Sequence, residues 1–169
     1  MNKKSFTFVE FLMLIAILIV IGGIVFIVID PIQTWKNDRN SQRWQDVKKI
    51  LNAIKTDQID NSNNKFFKSI EQAKYDKIYM ISNGKSFDCD SKNDFCKTNV
   101  SKEAMSGEYC LNLMGLVEQG YLDNLPVSPS ANLDWTKSIT GYTLEKSHGG
   151  IITIRACETE GGVEIWTSR

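Results

Sequence analysis

The chain opens with one of two strong hydrophobic patterns. From residue 11 to residue 29 no side chain is ionisable, a run of 19 residues, and apolar character already begins at Phe6. At about 1.5 Å per residue such a helix matches a hydrocarbon core of roughly 30 Å. Beyond Pro31 the pattern changes period: Trp44, Val47, Ile50, Leu51 and Ile54 recur at spacings of three and four, while Arg43, Asp46, Lys48, Lys49 and Lys55 occupy other positions. That spacing predicts an amphipathic helix whose stripe packs on a core and whose charged positions face water. Read as continuous from Phe6 to Gln58, the two segments make one helix of roughly 80 Å. Gly22, Gly23 and Pro31 mark where it is expected to weaken. The glycines suit either a kink or close helix packing, and Pro31 either a kink or the first turn of a new helix capped by Asp30.

After the polar break at Asp60-Asn61-Ser62-Asn63-Asn64 the pattern becomes mixed. Residues 77–82 read as a strand, and residues 109–119 as a short helix with Leu113, Leu116 and Val117 on one side and Gly120 as its stop. Residues 122–131, with Pro126 and Pro129, predict an irregular connection. Residues 141–146 and 151–157 flank Ser147-His148-Gly149-Gly150, a hairpin signal, and residues 163–167 offer a further strand after Gly161-Gly162. The fold class is therefore α+β: a long N-terminal helix, membrane-spanning in its first half, packed on a small antiparallel sheet.

Composition bounds this picture. With 169 residues, 42% of them hydrophobic, there is room for one modest domain beside the apolar segment. Lysine plus arginine and aspartate plus glutamate number 20 each, so net charge suggests no nucleic-acid partner, and no basic stripe with interleaved aromatics appears. Lys3 and Lys4 precede the apolar run, which places the short N-terminus in the cytoplasm and the remainder outside. Lys36, Arg39 and Arg43 on the far side weaken that preference. The residue needing explanation is Glu10, because a carboxylate at the edge of an apolar span is costly and implies a partner or a function.

The residues Lys3-Lys4-Ser5-Phe6-Thr7-Phe8-Val9-Glu10-Phe11-Leu12 resemble the class III signal of type IV prepilins: a short basic leader, a small residue, then Phe-Thr and, four residues after the Phe, a Glu leading into a membrane helix. Phe6, Thr7 and Glu10 match the family positions, whereas Ser5 stands where the family usually has glycine. The resemblance implies a leader of residues 1–5, cleavage by prepilin peptidase between Ser5 and Phe6, and N-methylation of the new Phe6 amine. It also implies a helix over residues 6–58, transmembrane over 6–29, and an extracytoplasmic head over 59–169. The cationic Phe6 amine and Glu10, one turn apart, would offset the cost of burying either charge, within a subunit or between neighbours, making Glu10 with Thr7 an assembly site. Implied partners are other pilin subunits, the peptidase, an inner-membrane assembly platform and membrane lipid. Asp30-Pro31, Arg39-Asn40, Gln42-Arg43 and Asp46-Val47 also resemble pilin-like proteins of candidate-phyla bacteria. The competing expectation is an unprocessed single-pass protein whose outer domain binds a ligand or senses a partner.

Cys89, Cys96, Cys110 and Cys157 all fall in the part expected to face outward, where an even number favours disulfides. Of three connectivities, a local Cys89–Cys96 loop with Cys110–Cys157 joining helix to sheet is the one we expect. Asp88, Asp90, Asn93 and Asp94 crowd the first loop, but Lys92 occupies a position that an EF-hand needs for a ligand. His148 is the single histidine and sits in a turn, beside Ser147. No catalytic constellation, cofactor motif or metal motif is visible, so the sequence predicts a non-enzymatic chain.

Overall fold

A computed structural model describes residues 6–61, 68–84, 88–102, 110–130 and 133–169. The chain forms two compact units, Met1–Asn37 and Asp38–Arg169. In the first, the apolar run forms helix α1 (Phe8–Ile29), regular through Gly22 and Gly23, and long and apolar enough to cross a membrane. Helix α2 (Pro31–Asp60) starts after a single residue, Asp30, which adopts a left-handed conformation with φ 38°. The Asp30 carboxylate accepts the Gln33 amide at 3.2 Å, and its carbonyl accepts the Thr34 amide at 3.1 Å. Asp30 thus caps α2 and Pro31 occupies its first position, where the missing N–H costs nothing.

In the second unit α2 carries the expected stripe. Val47, Ile50, Leu51 and Ile54 are buried and Trp44 packs at their edge. The other elements are α3 (Lys68–Gln72), β1 (Ile78–Ser82), β2 (Leu111–Asn112), α4 (Met114–Glu118), β3 (Tyr142–Lys146), β4 (Ile152–Ala156) and β5 (Trp166–Ser168). They build one sheet in the order β2-β1-β3-β4-β5, antiparallel except where β2 runs parallel to β1. Period-two alternation divides its faces. Tyr79 and Ile81 of β1, Tyr142 and Leu144 of β3, and Ile154 of β4 share a core with the α2 stripe. Met80, on the opposite face of β1, packs with Trp135, Ile139 and the four cysteines in a second cluster. Strand β1 is buried on both faces, which explains its short unbroken apolar run.

The helix predicted over residues 109–119 is shorter than its pattern, and Tyr109 lies outside the described residues. Leu111 and Asn112 are taken by the ladder with Ile81 and Ser82, and the Asn112 side chain then accepts the Met114 amide at 2.9 Å, starting α4 two residues later. Gly120, at φ 82°, ends it. The Tyr121 amide reaches the Leu116 carbonyl and the Gly120 amide that of Val117, a Schellman closure. Strand β5 starts at Trp166, three residues later than predicted. The left-handed turn at Gly161-Gly162 is followed by an irregular stretch in which the Ile165 carbonyl accepts the Ala156 amide.

Candidate assembly site

Thr7 stands at the N-cap of α1 with extended backbone, φ −83° and ψ 151°. Its Oγ1 accepts the Glu10 amide at 3.3 Å, and the Glu10 carboxylate accepts the Thr7 amide at 3.3 Å and the Thr7 hydroxyl at 3.4 Å. This is a capping box, reciprocal satisfaction of two amides that a helix start otherwise leaves unpaired. The Thr-x-x-Glu spacing of Thr7-Phe8-Val9-Glu10 carried that signal in plain view, yet sequence reasoning weighed Glu10 only as a charge needing a partner. Phe6 and the apolar side chains described along α1 are exposed, with no part of the unit covering them. Burying each such side chain is worth about 1.5–3 kcal/mol, so the helix demands an apolar surround. Ser5 lies outside the described residues. Gly22 and Gly23 would each accept a Cβ without meeting another group, leaving room at this surface.

The head contains a second polar constellation, and it corrects the placement of Arg43 on the watery side of α2. Arg43 is fully buried. Its guanidinium donates to the Pro129 carbonyl at 2.8 Å, Asn40 Oδ1 at 2.9 Å, Ser128 Oγ at 3.2 Å and Glu160 Oε1 at 3.2 Å, with Glu158 at 3.9 Å. Arg39, one turn earlier, donates through Nε to Glu160 Oε1 at 2.6 Å and through Nη2 to Glu160 Oε2. Asn40 bonds the Glu160 carbonyl and amide at 2.9 and 3.2 Å. A positive stripe on α2 thereby holds the segment after β4, satisfying charges that would be costly to bury alone. The Arg39 fork holds the Glu160 carboxyl below its usual range, and Glu160 in turn raises Arg39. Nearby, Tyr142 donates to Asp46 at 2.6 Å. Burial raises both groups, and the shared hydrogen bond partly opposes this at Asp46 while reinforcing it at Tyr142. The arginines, Asn40 and Asp46 are among the residues that carried the weaker resemblance.

All four cysteines are paired, but not as expected: the bridges are Cys89–Cys110, with Cα atoms 5.9 Å apart, and Cys96–Cys157, 4.1 Å apart. Strand order gives the reason. Cys110 abuts β2 and Cys157 follows β4, with β1 and β3 between them. At about 4.8 Å per strand that is roughly 14 Å, beyond disulfide reach. The bridges interleave along the chain and tie the 88–96 loop to the sheet at two places, just before β2 and just after β4. Lys92, the residue that broke the calcium pattern, bonds the Asp134 carbonyl and lies over the Trp135 ring at 5.7 Å.

His148 stacks on Tyr75 with ring centroids 4.7 Å apart and approaches Asp76 at 3.2 Å. Lys146, buried beneath, donates to the Ile70 and Glu71 carbonyls at 3.0 and 3.1 Å, and burial lowers its pKa. Among the described residues no group of three or more His, Cys, Asp or Glu side chains could hold a metal ion. Comparisons with protein-family models, with curated proteins and with solved structures find no match.

Proposed function

We propose that this chain is a structural subunit of a type IV pilus or pseudopilus-like filament, working by assembly and not by catalysis. The observation that carries the reading is the Thr7–Glu10 cap at the start of an uncovered apolar helix, together with the prepilin-like leader in the sequence. In this account α1 spans the cytoplasmic membrane with the N-terminus inside and the head outside. Prepilin peptidase releases Phe6, and its methylated amine pairs with Glu10 as the helices leave lipid for the apolar interior of a filament. The partners are other subunits, the peptidase, the inner-membrane assembly platform and lipid, and the filament lies at the cell surface or in the periplasm.

A second reading rests on a specific observation. Glu10 already has two partners from Thr7 in its own chain, so its charge is accommodated without a neighbour, as an unprocessed single-pass sensor or receptor requires. Glu10→Gln separates the two, because glutamine preserves the capping box while removing the charge. The filament account predicts normal membrane insertion with filament yield reduced at least about tenfold, scored by shearing and immunoblotting. Undiminished surface filaments in Glu10→Gln would overturn it.

A further inference from the structure

Helix α1 ends at Ile29 and α2 starts at Pro31, so Asp30 alone separates an apolar helix from a polar one. The 22 residues of α1 rise roughly 33 Å, against roughly 30 Å for a hydrocarbon core. A core that accommodates α1 therefore ends at Asp30 on one side and at the Thr7–Glu10 cap on the other. Apolar exposure does not stop at Asp30. Ile32 is 61% exposed and Trp35 60% exposed, and both belong to the same unit as α1. Set three residues apart, they share a face of α2, which Lys36 joins four residues after Ile32. The carboxylate at this level, that of Asp30, is turned to the Gln33 amide, and the next acid on the face is the exposed Asp38, one turn beyond Trp35.

Trp35 lies at most about 9 Å along the helix past the end of α1, and the headgroup layer adds roughly 5–8 Å to each side of the core. Helical side chains lean toward their helix N-terminus, which brings the indole back toward Asp30 and into that layer. An indole, with apolar rings and one N–H donor, suits the boundary between acyl chains and water, and a lysine stem carries its ammonium to the phosphates. We propose that the first turn of α2 is an interfacial anchor, with Ile32 and Trp35 seated where acyl chains meet headgroups and Lys36 against lipid phosphate. The occupant is lipid because the face continues the uncovered apolar surface of α1 and closes on a cation. The inference rests on α1 spanning the membrane and adds what fixes its depth: Trp35 at one boundary holds Glu10 at the other, where its carboxylate stays among headgroups and water.

The test is tryptophan fluorescence of the full chain in phosphatidylcholine vesicles carrying bromine either high on the acyl chain or near its terminal methyl, with flotation run in parallel. Trp44, Trp135 and Trp166 also emit, so the Trp35 component is the difference between the parent and Trp35→Phe, a change at an exposed position that leaves the fold intact. Shallow bromines should quench that component at least about twofold, deep bromines less, and aqueous iodide only weakly. A chain that floats with the vesicles while iodide and not bromine quenches its Trp35 component would overturn the anchor and leave the span standing. Protection from both quenchers would place Trp35 against protein, and stronger quenching by deep bromines would place it within hydrocarbon; either result also overturns the anchor. A chain that does not float would overturn the span itself, and the anchor with it.

Discussion

Arg43 shows how a single side chain can reverse its reading once its neighbours are known. On the helical pattern it falls beside the apolar stripe and looks like a solvated charge, but the 128–129 and 158–160 segments close over it. Nothing local to residue 43 announces that closure, since every partner except Asn40 lies 85 to 117 residues away. Truncation leaves Glu158 and Glu160 without their buried partner, so Arg43→Ala should cost about 3–5 kcal/mol in chemical denaturation. Gly141, at φ 77°, supports the same site from below: a Cβ there would lie 2.7 Å from Trp135 Cδ2 and 2.9 Å from Ser128 Cβ. Gly141→Ala should therefore destabilise by about 1–3 kcal/mol and shift the Trp135 fluorescence.

Glu160 gives the constellation a pH dependence. Its carboxyl is held low by Arg39, so its contribution to stability is fully present above the ordinary carboxylate pKa of about 4.3 and is lost as pH falls through the depressed folded value. Asp46, raised by burial, acts in the opposite sense and loses stability as pH rises through its folded value. Denaturation midpoints should fall below about pH 4 in the parent chain, and the Glu160→Gln variant should show a smaller fall over the same window. NMR titration of Glu160 in Arg39→Ala should find its pKa moved up toward the usual range.

At the level of elements, period and punctuation carried most of the information. The α2 stripe, the β3–β4 hairpin and the Gly120 stop were legible because each depends on neighbours within a few residues. Strand β2 was not: two residues in a parallel pairing have no period to read, and they shortened the helix predicted around them. Cysteine connectivity failed for a related reason, because it follows from strand order, which a non-local crossover decides. Non-reducing peptide mapping should recover Cys89 linked to Cys110 and Cys96 linked to Cys157, and no Cys89–Cys96 peptide. Replacing either pair by serine should cost about 2–4 kcal/mol, checked by denaturant midpoints under oxidising conditions.

At the scale of the whole molecule the chain combines a helix long and apolar enough to cross a membrane with a unit that buries its own core. Helix α1 has an uncovered apolar surface that only hydrocarbon or other apolar helices satisfy, whereas residues 38–169 bury their own two apolar clusters. The chain should accordingly stay with membranes through high-salt and alkaline washes and leave them only in detergent. That much was legible from the first thirty residues, since a span is a local property. The cap at Thr7 and Glu10 stood in the Thr-x-x-Glu spacing but is absent from the sequence reading, and its two consequences, helix initiation and charge pairing, point to different biology and need separating by experiment.

Intact mass combined with N-terminal sequencing of the protein from native membranes and from sheared surface filaments tests the filament account most directly. It predicts a chain in the filament fraction that begins at N-methylated Phe6. A chain that still begins at Met1 and is absent from filaments would contradict it and leave α1 as the permanent anchor of a sensor.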